Sequence, residues 1–115
     1  MKQSQNTPTL VLASQSQYKQ NQLKTLGLPF TTFNPDIDES PILNESAKQT
    51  AQRLAKEKAT SWTHNHQVTS SHIILGSDQT AQCGQTLLGK PYSIDNAIKQ
   101  LMLCSAKTVV FYSAI

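Results

Sequence analysis

The stretch from His72 to Pro91, HIILGSDQTAQCGQTLLGKP, constrains this chain more than any other. Ile73-Ile74-Leu75 is short, apolar and rich in β-branched residues, which predicts a buried strand. Gly76-Ser77 ends the run and Asp78 follows at once. A carboxylate just past the end of a buried strand stands where α/β proteins usually place their chemistry. Gln79 to Leu88 reads as a hairpin turning at Cys83-Gly84-Gln85, and it returns the chain to Gly89-Lys90-Pro91. A folded-back hairpin would bring Asp78 and Lys90 together at the mouth of a sheet. The plainer reading is a turn-capping Asp78 and a solvated Lys90.

The rest of the chain supplies elements to either side. Thr9 to Ala13 reads as a strand. Ser14 then fits an N-cap, a helix runs from Gln15 to Leu26 on Leu23 and Leu26 as apolar anchors, and Gly27 stops it. The junction SQSQYK offers two hydroxyls, free backbone N–H groups, an aromatic and a lysine. It is either a phosphate seat or an ordinary capped helix start. Pro29 to Asn34 reads as a second strand. Asp36, Asp38 and Glu39 crowd the turn-rich loop Asn34–Pro41, either to hold a hard cation through oxygen or as a solvated loop.

Asn44 to Trp62 reads as the strongest helix, with Ala47, Ala51, Leu54, Ala55, Ala59 and Trp62 on one stripe. Lys58 falls within that stripe, where an ammonium must snorkel, pair with an acid or meet an anionic ligand. Arg53 and Lys56 lie off the stripe and read as solvated. His64 and His66 fall in a polar loop with no third ligand nearby. Ser93 caps a third helix to Cys104, whose Ile94, Ala97, Ile98, Leu101 and Met102 predict a buried stripe. Thr108 to Ile115 reads as a final strand.

These elements make an α/β fold with a mixed β-sheet flanked by helices. At 115 residues the chain reads as one domain with a modest core. Its net charge of +3 is spread out, and Arg53 is the only arginine among ten basic residues. That argues against sequence-specific nucleic-acid binding, which leans on arginine forks, and suits an anionic small ligand. Cys83 and Cys104 lack metal-type spacing and read as free thiols of a cytoplasmic protein. No run approaches a membrane span, and the first residues do not read as a signal peptide.

Six segments in order resemble the Maf family of nucleotide pyrophosphatases. They are LASQS at Leu12–Ser16, PDIDES at Pro35–Ser40, RLAKEKA at Arg53–Ala59, GSDQT at Gly76–Thr80, LGKP at Leu88–Pro91 and FYSA at Phe111–Ala114. Tyr18, the glutamine after Asp78 and the FYS ending resemble the subgroup acting on 7-methyl-GTP. The resemblance implies hydrolysis of a nucleoside triphosphate to monophosphate and pyrophosphate with Mg²⁺ or Mn²⁺. It implies Asp78 as general base, Glu39 and Asp78 at the metal, and Lys58 and Lys90 at the phosphates. Ser14 and Lys19 would hold the triphosphate, and Tyr18 and Gln79 would select the base. The matching segments belong to the family's N-terminal part. An incomplete domain is therefore implied, which a homodimer could complete.

The chain also departs from the family pattern. The family's first loop usually reads SxSPRR, or SxSPWRR in this subgroup. Here Gln17-Tyr18-Lys19-Gln20 follow Ser16, so the proline and both arginines are lost. Lysine is a point charge and cannot form the bidentate fork to phosphate. Ala106 and Ala114 stand where the family usually has glycine. These departures point to a second reading, a remnant or binding module that holds nucleotide without turnover.

Overall fold

A computed structural model describes residues 8–67 and 71–115. Its strands and helices are β1 (Thr9–Leu12), α1 (Gln17–Lys24), β2 (Thr31–Thr32), α2 (Ala47–Asn65), β3 (His72–Leu75), β4 (Asp78–Cys83), β5 (Thr86–Leu88), α3 (Ile94–Cys104) and β6 (Val109–Ala114). The parallel and antiparallel pairings expected of a mixed sheet are both present, divided between two three-stranded sheets. One is parallel, in the order β2-β1-β3; the other is antiparallel, in the order β5-β4-β6. The radius of gyration is 17.2 Å, against about 13 Å for a compact chain of this length, and the molecule is elongated, 60 × 30 × 22 Å.

The parallel sheet aligns the ends that matter. Leu12 pairs with Thr32 on one side and Leu75 on the other. Ala13-Ser14, Phe33-Asn34 and Gly76-Ser77-Asp78 therefore leave the sheet side by side, at its carboxyl edge. Asp78 then opens β4 opposite Ala114 of β6. The two sheets meet where the chemistry-bearing residues emerge.

Helix α2 joins the sheets by packing on β3, β4 and β6. Its predicted stripe is buried at Ala47, Ala51, Leu54, Ala55 and Lys58. Small residues allow a close approach. A Cβ built on Gly76 would lie 2.4 Å from the Ala55 carbonyl oxygen and 2.6 Å from the Ala59 nitrogen. Thr80 locks the other end, its hydroxyl donating to the Ala47 carbonyl at 2.8 Å.

Several boundaries differ from the sequence reading, each for a local reason. Helix α1 is capped by Ser16, not Ser14: the Ser16 hydroxyl accepts from the Lys19 N–H, while that of Ser14 accepts from the Ser16 N–H. Leu23 is buried, but Leu26 lies beyond the helix end and is exposed. Strand β2 shrinks to two residues between the prolines at 29 and 35. Helix α2 begins three residues later than predicted, because Asn44 sits at φ 69°. Ser46 and Gln49 cap it reciprocally, a pattern visible in the sequence.

The largest correction concerns α3. The helix forms where predicted, but its stripe is not buried. Ile94 is 80% exposed, and Leu101 and Met102 are 73% exposed. Two side chains attach it to the preceding turn: Gln100 donates to the Gly89 carbonyl at 2.6 Å and Asn96 to the Pro91 carbonyl at 3.1 Å.

Candidate functional site

A cleft of about 930 Å³ opens where the two sheets meet. Ser14, Lys19, Glu39, Lys58, Asp78, Gln79 and Lys90 all line it. At its centre the Lys58 ammonium donates to Asp78 Oδ1 at 2.9 Å and lies 3.3 Å from Glu39 Oε1. The Lys58 and Asp78 side chains are 11% and 10% exposed, while Glu39 is 57% exposed. Burial by itself would lower the Lys58 pKa, but Asp78 and then Glu39 outweigh it and hold the ammonium above its ordinary value. Replacing a buried ion pair by apolar side chains is often neutral or stabilising, so stability alone gives no reason to keep one here.

Lys19 approaches from the first turn of α1 and donates to the Ser77 carbonyl at 2.9 Å. Its pKa is lowered, first by burial and then by the nearby Lys58 charge, with Lys90 acting in the same direction and Asp78 and Glu39 opposing. Three lysines thus face one cleft, an arrangement that favours an anion with spread charge. Gln79 donates to the Ser113 hydroxyl at 2.8 Å, across the β4–β6 register pair. Ser113, in the FYSA segment, is the partner that holds the Gln79 side chain, and side-chain chemistry alone does not single it out.

Tyr18 stands apart from this cluster, and Arg53 departs from its reading as a solvated side chain. Tyr18 does not line the cleft: it is 72% exposed, and its hydroxyl accepts from Gln22 one turn along α1. Arg53 is not solvated. Its guanidinium meets the Glu45 carboxylate twice, at 2.7 and 3.0 Å, Glu57 at 3.2 Å and the Ser40 carbonyl at 3.2 Å. The fork ties the loop behind Glu39 to α2. Phe33, at the start of that loop, packs edge-on against Trp62 and His66, whose rings stack at 3.6 Å. The acidic loop is therefore held at both ends although it has no regular structure.

Glu39 and Asp78 are the carboxylates able to reach a cation in the cleft. Both are hard oxygen donors, which fits Mg²⁺ or Mn²⁺. No group of three His, Cys, Asp or Glu side chains that could hold a metal occurs among the described residues. Two carboxylates plus the oxygens of a bound phosphate is a usual Mg²⁺ arrangement. His66 is engaged with Trp62 instead, and both cysteines are free.

An α/β scaffold carries an acid–lysine–acid cluster and flanking lysines at its strand ends, a charge arrangement suited to an anionic ligand. Comparison with known proteins narrows this class. Residues 9–115 match the Maf-like protein family, and the chain belongs to it. It is 48% identical over 112 residues to the 7-methyl-GTP pyrophosphatase of Saccharophagus degradans, covering 97% of this chain and 55% of that relative. The proteins of the same name in Pseudomonas syringae pv. syringae and Neisseria gonorrhoeae are 45% and 43% identical, with 94% and 92% of this chain and 55% and 53% of theirs covered. The chain thus spans about half the length of the curated relatives it matches. Among the described residues no helix is long and apolar enough to cross a membrane.

Proposed function

We propose that this cleft hydrolyses a nucleoside triphosphate of the 7-methyl-GTP type to the monophosphate and pyrophosphate. The convergence of Asp78 and Glu39 on Lys58 carries the reading, and the relatives' names support it. Asp78, oriented by Lys58, takes the proton of a water that attacks the α-phosphorus. The bond from that phosphorus to the pyrophosphate oxygen breaks, and Lys58, Lys90 and Lys19 stabilise the charge that leaves. Ser14 offers its hydroxyl to the same phosphates, and Gln79 faces the base. Glu39 and Asp78 would hold a divalent cation, which neutralises triphosphate charge when bound. The reading treats the chain as part of one cytoplasmic domain. Its partner is a nucleotide and neither nucleic acid nor membrane, and a homodimer is one way to enclose the cleft.

Pyrophosphate release from 7-methyl-GTP with Mg²⁺ or Mn²⁺, beside GTP, UTP and dTTP, tests the proposal. Asp78→Asn should lower turnover by about 100-fold or more, the range of a lost general base. A second reading, nucleotide binding without turnover, draws on the Lys19–Ser77 hydrogen bond, which holds that ammonium on backbone. A folded native chain that binds nucleotide but releases no pyrophosphate would select it and sink hydrolysis.

A further inference from the structure

The cleft has an anion-binding floor, but the residue expected to meet the base, Tyr18, lies outside it. Among the described residues one aromatic side chain does line the cleft. Tyr92 stands at the rim beside Lys90, 88% exposed. Phe33 and Trp62 are engaged with each other at the end of α2. With nearly all its surface in water and its place in the cleft lining, the ring is accessible to a ligand in the cleft.

The backbone of Tyr92 makes a second, independent point. It sits at φ 59°, in the left-handed region. Glycine occupies that region freely, but a bulky side chain there is an outlier. The surroundings hold it in place. Asn96 ties down the Pro91 carbonyl, Gln100 ties down the Gly89 carbonyl, and Ser93 caps α3 by accepting from the Asn96 N–H. Residues held in sparsely populated conformations cluster at ligand clamps. The turn holds an exposed ring at the edge of a cationic cleft at a cost glycine would avoid.

From this geometry we infer that Tyr92 is the stacking platform for the nucleobase and a specificity-determining residue of the cleft. The inference rests on the nucleotide reading above. A 7-methylated guanine carries positive charge, and the face of a phenol ring attracts such a cation more than a neutral base. Lys90 and Tyr92 would then read the two ends of one ligand from a single turn: charge from the lysine, a ring face from the tyrosine.

Calorimetric affinities of the native chain and of Tyr92→Gly and Tyr92→Phe for 7-methyl-GTP, GTP and pyrophosphate, all with Mg²⁺, test the assignment. Tyr92→Gly removes the ring, suits the backbone and should raise the melting temperature. It should weaken 7-methyl-GTP about tenfold, in the range of one base–aromatic stack, GTP about threefold, and leave pyrophosphate unchanged. Tyr92→Phe should keep the native order. Equal losses for all three ligands would mean that the residue shapes the turn around Lys90, and would overturn the inference. So would unchanged nucleotide affinities. A native chain that binds pyrophosphate but no nucleotide more tightly refutes the platform alone. One that binds none of the three removes the proposed function and the platform together.

Discussion

Helices α2 and α3 carry the same kind of apolar stripe and meet opposite fates. In α2 the stripe is built of small residues and closes against both sheets, with Leu54 4% exposed. In α3 the stripe is bulkier and by spacing cleaner, yet none of its residues is buried. Amphipathic periodicity states that a face needs a partner. It does not state that the partner lies within the same stretch of chain. The difference also separates the site: the residues that meet at Lys58 stand on the closed part, while Lys90 and Tyr92 stand on a turn tied to the open helix.

Three measurements would break or sharpen that contrast. The largest effect is expected at the α2–β3 approach. Gly76→Ala forces a Cβ into helix backbone that cannot give way. It should cost about 3 kcal/mol or more in urea unfolding, and a loss below about 1 kcal/mol would show that the helix can move. Next comes the fork behind Glu39. The Arg53 guanidinium holds the Glu45 carboxyl below its ordinary value of 4.5, with burial opposing and Thr50 assisting. A carboxylate lowered on folding contributes stability above that ordinary value and loses it as pH falls through the folded one. Urea midpoints should therefore fall as the pH is taken down through 4.5 and below, and Arg53→Lys, which cannot make the fork, should flatten that slope. An unchanged slope would mean that the pair contributes nothing to the loop. The smallest effect is expected on α3. Leu101→Gln should change stability by less than about 0.5 kcal/mol, the usual range for exposed positions. A loss above about 2 kcal/mol would show that the stripe is covered in solution, and the contrast with α2 would fall.

Much of the site was legible in the sequence because its members are chemically unusual for their places. Lys58 stood out as a charge on an apolar stripe, and Asp78 as an acid directly after a buried run. Arg53 reads as solvated because periodicity gives the direction of a side chain and not the loop that covers it. Glu45 and Ser40 approach it through a segment with no period to read. The resemblance implies Tyr18 as a base-selecting residue, and the fold leaves it exposed on the first turn of α1, outside the cleft lining. Ala106 illustrates the reverse: expected at a position where the family usually carries glycine, it adopts φ 57°, the conformation that glycine suits.

Much of the local order along this chain follows from sequence alone. The hairpin at Gly84, the cap at Ser93 and the stripe of α2 depend on neighbours within a few residues, and short-range sterics and hydrogen bonds suffice to set them. The tertiary structure decided the division into two sheets, the meeting of Glu39, Lys58 and Asp78 from loop, helix and strand, and the position of Tyr92 at the cleft rim with Tyr18 outside it. Each of these depends on contacts between distant residues, whose closure no local pattern encodes.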